Sequence, residues 1–151
     1  MKRVMASGVF DILHSGHLHY LQEAKDLGDE LTVVVACDAT VRRRKHEPIT
    51  PDRMRLELVQ NLKCVDRAVL GREGDMLAVV TEIRPDIIAL GYDQQFDEES
   101  VRHALAERGV VVKVVRLQKH EDDLNGTRKI INRIIDWYST NKSQVDRGGG
   151  K

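Results

Sequence analysis

Short runs of β-branched and other apolar residues alternate along the whole chain with segments whose apolar positions recur at helical spacing. That alternation predicts a parallel sheet wrapped by crossover helices. Five strands are expected, over residues 3–6, 31–36, 67–70, 86–90 and 110–115. The second and fifth are nearly continuous apolar runs, as strands covered on both faces require. A buried helix segment would read similarly, but brevity and β-branching favour strand.

Between the strands, Leu18, Leu21, Ala24 and Lys25 fall at helical spacing over 17–27, with Gly28 as the expected C-terminal cap. Thr50-Pro51-Asp52 reads as an N-cap followed by proline at the first helical position, opening a helix to about Asn61. Leu77, Val80 and Ile83 mark a third helix, stopped by Pro85. Asp97 and Glu98 open a fourth that ends at Gly109. The last starts near Thr127 and carries Ile130, Ile131, Ile134, Ile135 and Tyr138 on a broad apolar face. After Tyr138 the pattern fades. The expected organisation is therefore a single α/β domain over 1–138, a doubly wound five-stranded parallel sheet with helices on both faces, and a disordered tail over 139–151. No internal repeat or dividing linker interrupts it.

Composition narrows the class. The 151 residues hold 24 Lys+Arg against 24 Asp+Glu, 41% hydrophobic and 32% charged residues. A chain this apolar is not disordered, and no run approaches the roughly 18 residues of a membrane span. The basic start lacks an apolar signal-peptide core, because Asp11 and His14 interrupt it, so a cytoplasmic protein is expected. Cys37 and Cys64 lack metal or redox spacing and are expected to be free thiols. Zero net charge argues against nucleic acid or a membrane as the main partner. An anionic small molecule needs only local charge.

Local charge is where the chemistry concentrates. Three of the six histidines fall within Phe10-Asp11-Ile12-Leu13-His14-Ser15-Gly16-His17-Leu18-His19. This segment leaves the first strand and opens the first helix, at the sheet edge where α/β proteins bind ligands. A helix N-terminus there offers N–H groups and partial positive charge to an anion. Gly16 removes a side chain that would hold a phosphate away, while His14 and His17 can aim donors at one place. Neither GxxxxGK[ST] nor GxGxxG is present. A metal site built on His14, His17 and His19 lacks a nearby fourth ligand, and merely solvated histidines seldom cluster so densely.

The run Gly8-Val9-Phe10-Asp11-Ile12-Leu13-His14-Ser15-Gly16-His17 resembles the G-T-F-D-x-x-H-x-G-H signature of the cytidylyltransferase-like nucleotidyltransferases. Val65-Asp66-Arg67-Ala68-Val69-Leu70-Gly71 and Pro85-Asp86-Ile87-Ile88-Ala89-Leu90-Gly91-Tyr92-Asp93-Gln94 are similar to segments of the archaeal FAD synthases within that superfamily. The resemblance covers residues 3–138 and implies a Rossmann-like fold and transfer of AMP from ATP to FMN, giving FAD and pyrophosphate. Glycerol-3-phosphate cytidylyltransfer, using CTP, is the alternative within the same chemistry. Departures are Val9 in place of threonine, the absence of a cysteine-bearing segment associated with some archaeal FAD synthases, and Leu124-Asn125-Gly126-Thr127 in place of a serine/threonine-rich motif.

The resemblance also implies roles. His14 and His17 are expected to be catalytic, donating to the α-phosphate and the leaving pyrophosphate. Val9, Phe10, Ser15, Gly16, Asp93, His120 and Thr127 would line the nucleotide. Arg44 and Lys45, from the basic run 42–46, would approach phosphate with Arg55 and Lys119. The alternatives are a solvated basic run and an ordinary surface arginine at position 55. A divalent cation such as Mg²⁺ is expected to arrive with the triphosphate, without a protein cage. A homodimer is also implied.

Overall fold

The computed structural model describes residues 1–119, 124 and 126–148. The elements run β1 (Arg3–Gly8), α1 (Ser15–Asp26), β2 (Glu30–Val35), α2 (Asp38–Arg44), α3 (Asp52–Gln60), β3 (Arg67–Leu70), α4 (Met76–Ile83), β4 (Ile87–Leu90), α5 (Glu98–Glu107), β5 (Lys113–Arg116) and α6 (Thr127–Gly148). Every strand pairing is parallel, in the order β3-β2-β1-β4-β5. The sheet is thus doubly wound, as expected.

Alternation along the strands divides the core into two layers. Val4, Ala6, Leu31, Val33, Val35, Ile87 and Ala89 face Leu21 and Ala24 of α1 and Val59 of α3. Met5, Ile88 and Leu90 face Val80 of α4 and Leu105 of α5. Both faces are buried, which is why the strands read as unbroken apolar runs.

The strand order makes β1 and β4 neighbours although the chain winds outward from them in opposite directions. A crevice is expected at the carboxyl ends of such a pair. The register shows it opening: β1 follows β2 as far as Gly8 opposite Val35, but β1 and β4 last pair at Ala6 opposite Ala89. Beyond that point side chains replace the ladder. The Tyr20 hydroxyl donates to the Ala89 carbonyl at 2.6 Å and accepts from the Ser7 N–H at 3.2 Å. Burial pushes this phenol's pKa upward, so it stays protonated and can donate.

The structure departs from the sequence reading in several places. The basic run after β2 is helical: α2 covers Asp38–Arg44 and ends on Lys45. The N-cap of α3 is Pro51, without a side-chain cap bond, because the Thr50 hydroxyl donates to Asp11 instead. The β4–β5 ladder begins only at Lys113, opposite Ile87. Val110 and Val112 go instead into the second core layer, while Val111 stands 91% exposed. The last helix continues past Tyr138 to Gly148, with a break in helical geometry at Asn141. No proline interrupts that stretch and its first glycine is Gly148, so nothing in the residue types stops the helix earlier.

Gly28 also acts differently from a left-handed cap. The α1 C-cap is Leu27, in right-handed geometry. Glycine is needed at 28 because a Cβ there would lie 2.7 Å from the Val4 side chain and 2.8 Å from the Lys2 carbonyl oxygen. The backbone oxygen cannot move without disturbing the start of β1. Gly28→Ala is therefore expected to destabilise the fold by about 1–3 kcal/mol, the usual cost of forcing atoms into a packed site. Urea denaturation should show a lower midpoint with an unchanged slope.

Candidate active site

The loop from β1 to α1 is held in a shape its sequence would not adopt alone. Phe10 and Ile12 both have positive φ, at 57° and 58°. Non-glycine residues adopt that region only when their surroundings impose it. Here the Phe10 ring is buried against Gly8, where a Cβ would come within 2.9 Å of it. That glycine opens the signature because the ring lies over it.

Asp11 supplies the second constraint. Its buried carboxylate accepts from the Ile49 N–H at 2.7 Å, the Thr50 N–H at 3.0 Å and the Thr50 hydroxyl at 2.6 Å. Its backbone carbonyl accepts from the Thr127 hydroxyl at 2.7 Å. One residue thereby fastens the entrance of α3 and the first turn of α6 to the signature loop. Burial alone would raise the Asp11 pKa, but the bonds from Thr50 and Ile49 and the nearby Arg55 charge outweigh it, so the net shift is downward.

The third constraint is a reciprocal cap between two histidines. His14 is the N-cap of α1, and its Nδ1 accepts from the Gly16 N–H at 3.1 Å. His17 Nδ1 accepts from the His14 N–H at 3.4 Å, so the pair forms a capping box with imidazoles in place of the usual hydroxyl and carboxyl. The rings stack with centroids 3.7 Å apart, and the Phe10 ring meets His17 edge-on at 5.2 Å. Because each Nδ1 is an acceptor, the proton of each neutral ring resides on Nε2. His17 is held neutral, its pKa pushed down to about 3 by burial first and then by His14 and Lys45, against a smaller opposing effect of Asp11. The fold therefore places two Nε2–H donors together at the N-terminus of a 12-residue helix.

Arg55 differs from its expected role. It is 1% exposed, and its guanidinium donates to the carbonyls of Thr50, Val9 and Ala36 at 3.0, 2.8 and 2.7 Å and to Asp38 at 2.7 Å. It is a structural tie beneath the site rather than a phosphate contact. An arginine one turn into a helix reads as a surface residue unless the carbonyls at two strand ends are known to converge on it. Its bond to the Val9 carbonyl fixes that residue's backbone.

The other expected residues lie along the same sheet edge. Arg42 pairs with Glu47 and Arg43 with Glu73, whereas Arg44 and Lys45 form no salt bridge among the described residues. Lys45 is near enough to influence the His17 ring. Ser15 and Gly16 form the first turn of α1. Asp93 is exposed in the turn after β4, and Lys119 lies beyond β5 with its ammonium 5.7 Å from the centre of the Tyr92 ring. Thr127 is the first residue of α6, behind Gly126, whose carbonyl accepts the Ile130 N–H. His120 lies outside the described residues. No cluster of three or more His, Cys, Asp or Glu suited to a metal occurs among the described residues. Sequence reading missed Tyr20, Gln94 and Arg116, whose partners become visible only once β1, β4 and β5 are adjacent.

Comparison with known proteins adds to this geometry. A family model described as cytidylyltransferase-like matches residues 5–142. The FAD synthase of Aciduliprofundum boonei is 60% identical over 137 residues, covering 90% of this chain and 92% of that protein. The FAD synthase of Thermoplasma volcanium is 52% identical over 136 residues, covering 90% and 96%. A crystal structure from Thermoplasma volcanium, described as a lipopolysaccharide core biosynthesis protein, superposes with TM-score 0.79 at 56% identity, covering 80% of this chain and 99% of its own.

Acid should weaken this site in two stages. The unfolded state binds a proton on His17 near pH 6.5 while the folded state does not until about 3, so this contribution falls as pH drops through that interval. The slope approaches about 1.4 kcal/mol per pH unit where only the unfolded chain is protonated. Asp11, with its pKa lowered from 3.8, adds a further loss as pH falls below about 4. Denaturation midpoints for wild type and His17→Gln should converge on going from neutral to mildly acidic pH. Arg55→Ala is expected to cost about 3–5 kcal/mol, since it strands Asp38 and three carbonyls.

Proposed function

The chain belongs to the cytidylyltransferase-like family, and on that premise we propose that it is an FAD synthase, transferring AMP from ATP to FMN and releasing pyrophosphate. The observation that carries this reading is the pair of stacked imidazoles, each with Nδ1 occupied by a backbone N–H. Adenylyl transfer joins a phosphate oxygen of FMN to the α-phosphorus of ATP and breaks the bond to the bridging oxygen of pyrophosphate. Negative charge gathers on the α-phosphate oxygens and on the leaving group. Nε2–H donors of His14 and His17 meet that charge, and being fixed beforehand they cost no reorganisation.

No general base is required. The second pKa of a phosphate monoester is about 6, so FMN presents an ionised nucleophile at neutral pH. Neutral His17 is suited to donating a hydrogen bond, and its low basicity makes it a poor proton acceptor. Val9, Ser15, Gly16, Asp93 and Thr127 line the nucleotide side in this reading, with Phe10 buried beneath it. Arg44, Lys45 and Lys119 face substrate phosphates.

A divalent cation would be held by triphosphate oxygens and water. The residues present fit that arrangement: the Asp11 carboxylate is already taken by Ile49 and Thr50, and the site nitrogens suit Mg²⁺ poorly. The relatives named FAD synthase favour FMN over glycerol-3-phosphate as acceptor.

No helix among the described residues is long and apolar enough to cross a membrane. We place the enzyme in the cytoplasm. We read it as a homodimer through α6, which carries Ile134, Ile135 and Trp137 each more than half exposed.

The direct test mixes purified protein with ATP and FMN and follows FAD and pyrophosphate. FAD should form in equimolar amount with pyrophosphate, and CTP with glycerol-3-phosphate should release little. His14→Ala and His17→Ala should each lose about 10²–10³ in rate. Absence of FAD with any nucleotide would refute the assignment.

A further inference from the structure

We infer that Tyr92, presented by a strapped loop after β4, is the stacking surface for a planar heteroaromatic ring of one of the two substrates. This rests on the FAD synthase reading, which requires both an isoalloxazine and an adenine to be seated. The chain has one Trp, three Tyr and two Phe. Phe10 is buried under the signature loop, Tyr20 spans the gap between β1 and β4, and Phe96 packs against the second core layer. Trp137 and Tyr138 lie ten or more residues along α6, about 15 Å from its start at the helical rise of roughly 1.5 Å per residue. Tyr92 remains. It is 48% exposed, two residues past the end of β4 at the crevice.

The loop is not an ordinary surface turn. Arg116, at the end of β5, donates to the carbonyls of Gly91 and Gln94 at 3.0 and 2.8 Å, to that of Phe96, and to the Glu98 carboxylate. From the other side the Gln94 side chain accepts from the Gly91 N–H at 2.8 Å and donates to the Ser7 carbonyl at 2.9 Å, bolting the loop to the end of β1. An arginine and a glutamine thus fix the backbone on both flanks of Tyr92 while the residue stays half-exposed. Presenting a half-exposed ring on a fixed backbone serves binding, because the backbone's ordering cost is met before the ligand arrives. The Lys119 ammonium lies over one face of the ring, 5.7 Å from its centre, so the ligand ring would take the opposite face, with a cation close by for its carbonyl or phosphate oxygens.

The test compares Tyr92→Leu, which keeps apolar bulk, with Tyr92→Phe, which keeps the ring. FMN binding is followed by quenching of flavin fluorescence, and the KM for ATP is measured separately, with thermal melts confirming folding. Tyr92→Leu should weaken one substrate about tenfold, and Tyr92→Phe should stay within about twofold of wild type. Weaker FMN binding with lost quenching identifies the isoalloxazine as the stacked ring. A raised KM for ATP alone identifies adenine. If wild type makes FAD and Tyr92→Leu leaves both values within about twofold, the inference is wrong. If wild type makes no FAD, the functional assignment fails first.

Discussion

The site depends on one buried guanidinium. Arg55 sits where the chain leaves β1 and β2 and where it enters α2 and α3, and it satisfies carbonyls from three of those four places together with Asp38 from the fourth. Parallel strands end in carbonyls that need donors, and water can reach few of them beneath a binding loop. A guanidinium has five N–H donors in a rigid plane, so it can satisfy several diverging acceptors at once where a lysine could not. With that junction filled, the segment from Val9 onward has a fixed origin.

From this origin the remaining geometry follows in steps. Asp11 attaches the loop to Ile49, Thr50 and Thr127, which brings α3 and α6 to the same edge. Phe10 and Ile12 then accept positive φ, a cost of order 1–3 kcal/mol each that the surrounding contacts must offset. The strained loop delivers His14 and His17 into a reciprocal cap, and the cap determines which ring nitrogen carries a proton. Backbone hydrogen bonding thus decides the chemistry of the imidazoles. The zero net charge of the whole chain is compatible with an anion site because the donors here are mostly neutral N–H groups gathered at one edge.

Much of this was legible in the residues. Five strands and their parallel pairing followed from alternating periodicities, and the histidine cluster marked the candidate site. Other features depended on distant partners. Arg55 reads as a phosphate contact, with a surface helix residue as the alternative, because nothing local reveals that Val9 and Ala36 converge on it. Thr50 looked like a helix cap because its true partner, Asp11, lies 39 residues earlier. The short helix α2 was hidden by its run of arginines, which reads as solvated loop. Gly28 reads as the C-terminal cap of the first helix, whereas what demands glycine there is its approach to Lys2 and Val4. In each case the residue type was informative and the missing quantity was a tertiary contact.

Folding, not substrate, sets His14 and His17 as Nε2–H donors. Long-range ¹H–¹⁵N spectra of the substrate-free protein, recorded between about pH 5 and 8 where free histidine titrates, measure it directly. The structure predicts a bare Nδ1 and a protonated Nε2 on both neutral rings, with His17 showing no titration across that range. A His17 that becomes an imidazolium near pH 6.5, or a proton on Nδ1 of either ring, would contradict it.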